Sequence, residues 1–344
     1  MVAGEDVTLR LGALFQPRVS YARDGGFEGV EDDTELLGFG IRRMRLSTRA
    51  TVGDRLEGAV QLEAATPSVR VLDARIGYRV ADGLTLSAGR FISAQPRAFA
   101  LTLAGTIDAV DRAVIADTWA RNTIGADGRS HGLEARYRAG GSDLRLFIHN
   151  GSGALNVRSG MADTSPAGGT DRTGMAAGLF ITHRPAVIDG LEVGGYAGYN
   201  ASRNPETEVG GTGRRYTDVS LHAYLGALPG SRPVRLKADF IGVFYESVQI
   251  GGVDRRDEFM GGALFAAVSP ARGTEVFTRG EIMRPPGQAE TEYVLTAGGT
   301  LSVSALRGRP FASERLTIAY AVRSSELDGR AARHIIILQA QLSI

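Results

Sequence analysis

Residues 7–21 read VTLRLGALFQPRVSY, and they alternate almost without fault. Val7, Leu9, Leu11, Ala13, Phe15, Val19 and Tyr21 share one face, while Thr8, Arg10, Gly12, Gln16, Arg18 and Ser20 share the other. Side chains change face at every residue of a strand, so this period gives one dry face and one wet face. The run outlasts the roughly five or six residues usual for a strand in a soluble sheet. It suits a tilted strand crossing a bilayer, which needs roughly 9–11 residues in the hydrocarbon.

The same pattern returns to the end of the chain. Period-two segments fall at about 6–22, 36–50, 55–66, 69–80, 84–92, 130–139, 142–150, 173–184, 190–201, 214–227, 233–247, 257–269, 273–284, 291–304, 311–323 and 333–344. Within 36–50 the phase slips at Arg42-Arg43, which reads as a β-bulge. Connections after the even segments are short, such as Val52-Gly53-Asp54, Ala81-Asp82-Gly83 and Gly140-Gly141, while most of those after odd segments are long. Thr66-Pro67-Ser68 is the main exception. Short turns on one rim and long loops on the other, with an even strand number, describe a transmembrane antiparallel β-barrel of about 16 strands. No linker or shift in composition divides residues 1–344, so a single barrel domain is expected.

Residues 93–128 break the rhythm. Long irregular segments in compact folds are commonly functional or disordered. If this one enters the barrel, its charges reach the constriction; the alternative is an extracellular loop with solvated charges.

Composition agrees. No apolar run approaches the roughly 18 residues of a membrane helix, and mean hydropathy is −0.06, as expected when a polar lumen offsets an apolar exterior. Cysteine is absent, which excludes disulfides and thiolate metal sites. Net charge is +1, so nucleic acid has no electrostatic case as a partner. Lys237 is the only lysine, leaving arginine as 38 of the 39 basic residues. Codon bias would do this, and so would selection for bidentate contacts to anions. The chain carries no secretion signal ahead of the first strand; a barrel that must cross the inner membrane implies one removed by processing.

Several segments resemble the phosphate-selective porin O/P family. They are FGIRRMRLSTRATVGDRLEGAVQLE at 39–63, VLDARIGYRVADGLTLSAGRF at 71–91, GLEARYRAGGSDLRLFIHNGSG at 132–153, LTIAYAVRSS at 316–325 and IIILQAQLSI at 335–344. The resemblance runs through nearly the whole chain in order. It implies a sixteen-stranded bacterial outer-membrane porin, a homotrimer embedded in outer-membrane lipid. Small anions, phosphate among them, would pass along basic side chains beside the inward loop. Lysines help select phosphate in the family, and here only Lys237 is available.

Alternation puts Arg43, Arg45, Arg75 and Arg79 on inward faces, and Arg90, Arg97 and Arg112 lie at or in the irregular segment. These seven are the candidate pore-lining residues, because rings of fixed charge set the selectivity of a pore. Glu57, Glu63, Asp73, Asp108, Asp111 and Asp117 are placed to pair with them or oppose them. The plain alternative is cross-strand pairing that merely keeps the lumen wet. No cofactor or metal is expected, and HxxxH, GxSxG and GxxxxGK[ST] are all absent. An enzyme is not expected, since no Ser and His read as neighbours on the lipid face. The competing function is a structural barrel, a subunit of a larger envelope complex with a plugged or incidental pore.

Overall fold

The computed structural model describes residues 6–24, 34–65, 68–100, 103–151, 175–201, 215–246, 248–250, 253–255, 257–286, 290–325 and 332–344. Sixteen strands close one antiparallel barrel. In chain order they are β1 (Val7–Asp24), β2 (Thr34–Val52), β3 (Leu56–Glu63), β4 (Arg70–Ala81), β5 (Leu84–Phe91), β6 (Ser130–Ala139), β7 (Ser142–His149) and β8 (Ala176–His183). The wall continues with β9 (Leu191–Asn200), β10 (Tyr216–Leu225), β11 (Val234–Tyr245), β14 (Glu258–Val268), β15 (Thr274–Arg284), β16 (Glu292–Ser302), β17 (Glu314–Ser325) and β18 (Arg333–Ser343). A separate two-stranded ribbon, β12 (Val248–Ile250) with β13 (Val253–Arg255), rises between β11 and β14. The seam closes where β1 meets β18, from Leu14 opposite Ser343 to Asp24 opposite Arg333. Closure leaves the barrel wall without a free strand edge, as a structure spanning lipid requires.

The expected strands are all present, within a few residues at their ends. The bulge at Arg42 is present too: Gln16 pairs with Arg43 and Pro17 with Ile41, leaving Arg42 unmatched. Gly140 and Gly141 turn β6 into β7, both with positive φ (53° and 80°). A two-residue hairpin of that hand needs positive φ at both central positions. The expected loops at 23–35 and 151–172 fall largely outside the described residues.

Outward faces are apolar. Leu9, Leu11, Ile76, Leu236, Ile318, Leu338 and Leu342 are exposed at the barrel surface, where lipid meets them. Alternation makes Leu72 the next in that series, but it is 2 % exposed. A second bulge is the cause. Gln61 pairs with Asp73 while Leu62 pairs with Val71, so Leu72 is skipped and turned inward, and Val71 takes the outward place. One extra residue shifts the phase of everything beyond it.

Between β5 and β6 the chain enters the lumen. It forms a short helix α1 (Arg97–Ala100), a 3-10 turn at Ala104–Thr106 and a helix α2 (Val114–Asn122). Phe99, Ile115, Ala116, Trp119 and Ala120 pack on inward aromatics and aliphatics of the wall, among them Phe147, Phe180, Tyr196, Tyr216 and Phe259. A smaller cluster joins Val110 to Phe265 and Phe277. The protein's main apolar core is therefore inside the barrel, on the β7–β16 side.

Candidate functional site

The inward segment is fastened to the wall on all sides. Arg97 Nε donates to Glu192 on β9 at 2.6 Å, and its guanidinium lies 5.1 Å from the Tyr224 ring. Gln16 on β1 and Gln341 on β18 donate to the Ala104 and Gly105 carbonyls. Asp108 accepts from Arg235 and Lys237 on β11, both at 2.7 Å. Asp111 accepts from Arg18 on β1 at 3.0 Å and Arg42 on β2 at 2.6 Å. Glu281 on β15 accepts from the Ile115 N–H at the start of α2, where a helix favours negative charge. Trp119 Nε1 donates to Asp218 on β10 at 2.8 Å. The exit is as tight: Gln95 donates to the Gly128 carbonyl, and Arg129 donates to Asp73 on β4 at 2.8 Å.

These pairs decide the protonation of the loop acids. Burial pushes Asp108 up, but Lys237 and Arg235 outweigh it and hold the carboxyl below its ordinary value. Burial likewise works against Asp111, and Arg42 and Arg18 hold it down. Arg112 is lowered to about 10 by burial; Asp117 opposes this, while Arg45, Arg129 and Arg42 add to it. Arg112 is thus still a cation at neutral pH. Asp108 and Asp111 are held mainly by basic residues outside the candidate set, Arg235 and Lys237 for one and Arg18 and Arg42 for the other, with Arg43 a lesser influence on Asp111.

On the short-turn side of the segment lies a cavity of about 1710 Å³. Inner faces of β1–β4 and β6–β7, the turns at 140–141, 184–190 and 226–228, and the loop residues 103–106 and 112 enclose it. Twelve arginines line it against four carboxylates, Asp73, Asp143, Asp189 and Glu192. Every one of those carboxylates is already ion-paired with arginine. Arg10 and Arg49 stand directly opposite each other on β1 and β2, and among the described residues neither meets a carboxylate.

Four of the seven candidates reach this cavity. Arg45 lines it while bonded to Glu63 at 2.7 Å, and Arg75 does so while bonded to Glu57 at 3.1 Å and set over the Phe91 ring. Arg97 lines it from α1, and Arg112 lines it with its guanidinium 4.8 Å from the Phe99 ring. The other three do not. Arg43 is buried against Gln16. Arg79 shares the phase of Arg75 but is exposed near the end of β4. Arg90 stands opposite Ala74 on the outward phase and turns to the Val71 carbonyl and Asp127. That carbonyl lies beyond the β4–β5 ladder, which ends at Ala74 opposite Arg90.

Sequence reasoning missed Arg129, Arg184 and Arg232. They sit in the irregular segment and in turns, where there is no period to count. It also missed a hydroxyl–imidazole contact on the outer wall. Ser142 Oγ lies 2.9 Å from His183 Nδ1 because register sets the two opposite each other on β7 and β8. Only strand pairing, invisible in linear spacing, joins them. Among the described residues no carboxylate holds the ring from its other side.

No protein-family model matches the chain, and no curated protein matches its sequence. Solved structures do match. An anion-selective porin from Comamonas acidovorans superposes with a TM-score of 0.69 at 12 % identity, covering 98 % of this chain and all of that one. OmpT of Vibrio cholerae lacking loop L8 gives 0.66 at 12 %, with 98 % and 100 % covered. The outer-membrane channel DcaP of Acinetobacter baumannii gives 0.64 at 13 %, with 100 % and 99 % covered. The fold is that of the bacterial outer-membrane porins. At such identities the likeness speaks for the barrel alone, an outer-membrane architecture.

Proposed function

We propose that this barrel is a passive outer-membrane porin for small hydrophilic solutes, with a preference for anions that extends to phosphate. The observation that carries the reading is the lining of the cavity, twelve arginines against four carboxylates, in a chain whose net charge is only +1. A narrow passage through low-dielectric walls amplifies such a local excess, since field lines are focused rather than screened. Arginine also suits the purpose chemically, because its planar fork meets two oxygens of a phosphate or carboxylate together. Arg45, Arg75, Arg97 and Arg112 line the passage where the inward segment narrows it. The barrel works as a homotrimer, its small outward residues such as Gly58 and Ala74 allowing walls to approach.

A potential measured across a planar bilayer in a KCl gradient tests the reading. The expected sign is that of chloride preference, and replacing Arg45 and Arg75 by Gln reduces it. Cation preference rejects the reading. A silent bilayer favours the second one, a structural subunit of an envelope complex, for which the apolar cluster occupying the β7–β16 side of the lumen is the supporting observation. Mass in mild detergent separates trimer from monomer.

A further inference from the structure

The ring of paired strands is closed, but its margin on the long-loop side is stepped. β2 pairs with β3 only from Arg45 opposite Glu63 to Val52 opposite Leu56. Met44 accepts from the Ala64 N–H at 2.8 Å and donates its own N–H to Glu63 at 2.9 Å, and contact on that side ends there. The chain then returns to set Arg70 opposite Glu63. β2 itself continues to Thr34, held by β1 along its other side. Among the described residues no strand lies beside the stretch from Thr34 to Arg43 on the side of β3.

This edge is unguarded. Proteins blunt exposed edges with lysine, proline or inward-turned charge. Residues 35–41 read ELLGFGI, with no lysine, no proline and one acid, and all of them are exposed. Leu37 and Phe39 stand opposite Tyr21 and Val19 and share their outward face. They are 73 % and 89 % exposed. Gly38 and Gly40 take the other face, where an added Cβ would meet nothing within 4 Å. Beside the step, Val69 and Val71 at the head of β4 are exposed as well. Water satisfies a bare edge of N–H and C=O groups but not Leu37 and Phe39. Lipid satisfies Leu37 and Phe39 but leaves the edge unbonded. An extended polypeptide satisfies both, because its main chain completes the ladder and its alternate side chains cover the apolar ones. The glycine face leaves room for its other side chains. Glu35, the one acid, already lies 4.0 Å from Arg23, so the edge asks no particular charge of its partner.

We propose that the β2 edge from Glu35 to Ile41 is a docking site for an extended segment of another protein, apolar at alternate residues, which adds as a strand antiparallel to β2 and in line with β3. The surface lies outside the cavity and does not depend on what passes through the barrel.

Amide hydrogen exchange of the detergent-solubilised barrel, read by mass spectrometry, tests the site. The probe is a nine-residue peptide that alternates valine and threonine between end lysines. With it, the amides of residues 35–41 are expected to exchange about tenfold more slowly, and those of residues 45–52, already paired with β3, at an unchanged rate. The same peptide with its three central residues replaced by proline lacks the donors and is expected to protect nothing. Leu37→Lys with Phe39→Lys removes the cross-strand apolar contacts and is expected to weaken binding by about tenfold. Both side chains are mainly exposed, so the barrel is retained, and heat-modifiable gel mobility verifies this. Absence of protection, equal protection by the proline peptide, or unchanged binding in the double variant overturns the site. Protection present without any peptide overturns it too. If that protection is lost on dilution to monomer, the edge belongs to a second copy of the chain, and if it persists in the monomer, the chain covers its own edge.

Discussion

Two halves of the inner wall are built from the same alternation and do opposite things. From β1 to β7 the inward positions are largely polar and basic, and they face open space. From β7 to β16 they are largely aromatic and aliphatic, and they face α2. Charge does appear on that second half, as Arg235, Lys237, Arg279, Glu275 and Glu281, but there it is matched. Arg235 is gripped by Glu275 at 2.6 Å and Asp108 at 2.7 Å with none of its side chain exposed. A charge that is buried and paired holds the loop in place, and a charge left in excess beside water acts on solutes. Identical residue types serve both ends, and burial decides between them.

The comparison breaks most readily at Asp108. Asp108→Ala strips Lys237 of its carboxylate and Arg235 of one of two, deep in the matched half. A loss of about 3–5 kcal/mol is expected, as for removal of one partner of a buried ion pair, read from urea unfolding out of lipid vesicles. The analogous change at a solvent-facing pair on the cavity rim, Asp189→Ala beside Arg232, is expected to cost under about 1 kcal/mol. Equal losses would erase the distinction.

The outer face gives the next effect. Ile76→Arg places a charge in lipid and is expected to cost about 2–4 kcal/mol near the midplane. Leu72→Arg points into the barrel because of the β4 bulge, and the depth-dependent lipid penalty does not apply to it. Matched unfolding of the two variants checks this.

Selectivity is a smaller quantity. Arg45→Gln with Arg75→Gln is expected to lower the anion-to-cation permeability ratio by roughly three- to tenfold, the factor that about 1 kcal/mol of lost field produces. Arg279→Gln, in the matched half, is expected to alter stability and leave that ratio nearly alone.

The smallest effect is with pH. Asp108 and Asp111 are held below the ordinary carboxylate value, so the stability they supply is complete above about pH 4 and is lost as pH falls through their depressed values. The part of channel closure that depends on these two anchors is therefore expected to appear only below about pH 4, and Asp108→Asn is expected to remove its share of that acid-side step. An acid-side step unchanged in the variant would contradict the assignment of Asp108 as an anchor.

The wall was legible because period two is counted along the chain, and even the bulge at Arg42 announced itself as a phase slip. Leu72 did not, since Val71, Leu72 and Asp73 offer an apolar residue to either phase. The contents of the lumen were legible only in part. The broken rhythm set residues 93–128 apart from the wall, and their inward turn followed from the family resemblance, but where Arg97 and Arg112 would land depended on Glu192 and Phe99, 95 and 13 positions away. Arg90 was misplaced for the same reason, its side chain following the Val71 carbonyl on the neighbouring strand and Asp127 of the loop. Contacts between a loop and a wall leave no period, so their partners emerge only in three dimensions.

The strands differ greatly in length around the circumference. β1 and β2 run 18 and 19 residues, whereas β3, β5, β7 and β8 run eight each. At roughly 3.4 Å per residue and a tilt near 40°, eight residues climb about 20 Å, short of the apolar band of about 25 Å that outer-membrane barrels present. Eighteen climb about 45 Å and clear it on both sides. The short strands alternate with β4 and β6 of 12 and 10 residues, so lipid thinning of a few ångströms is expected only against β3, β5, β7 and β8 and not against β1 and β2. A leaflet thinned along those strands would carry an elastic cost, one that falls when two low sides meet and exclude the lipid between them.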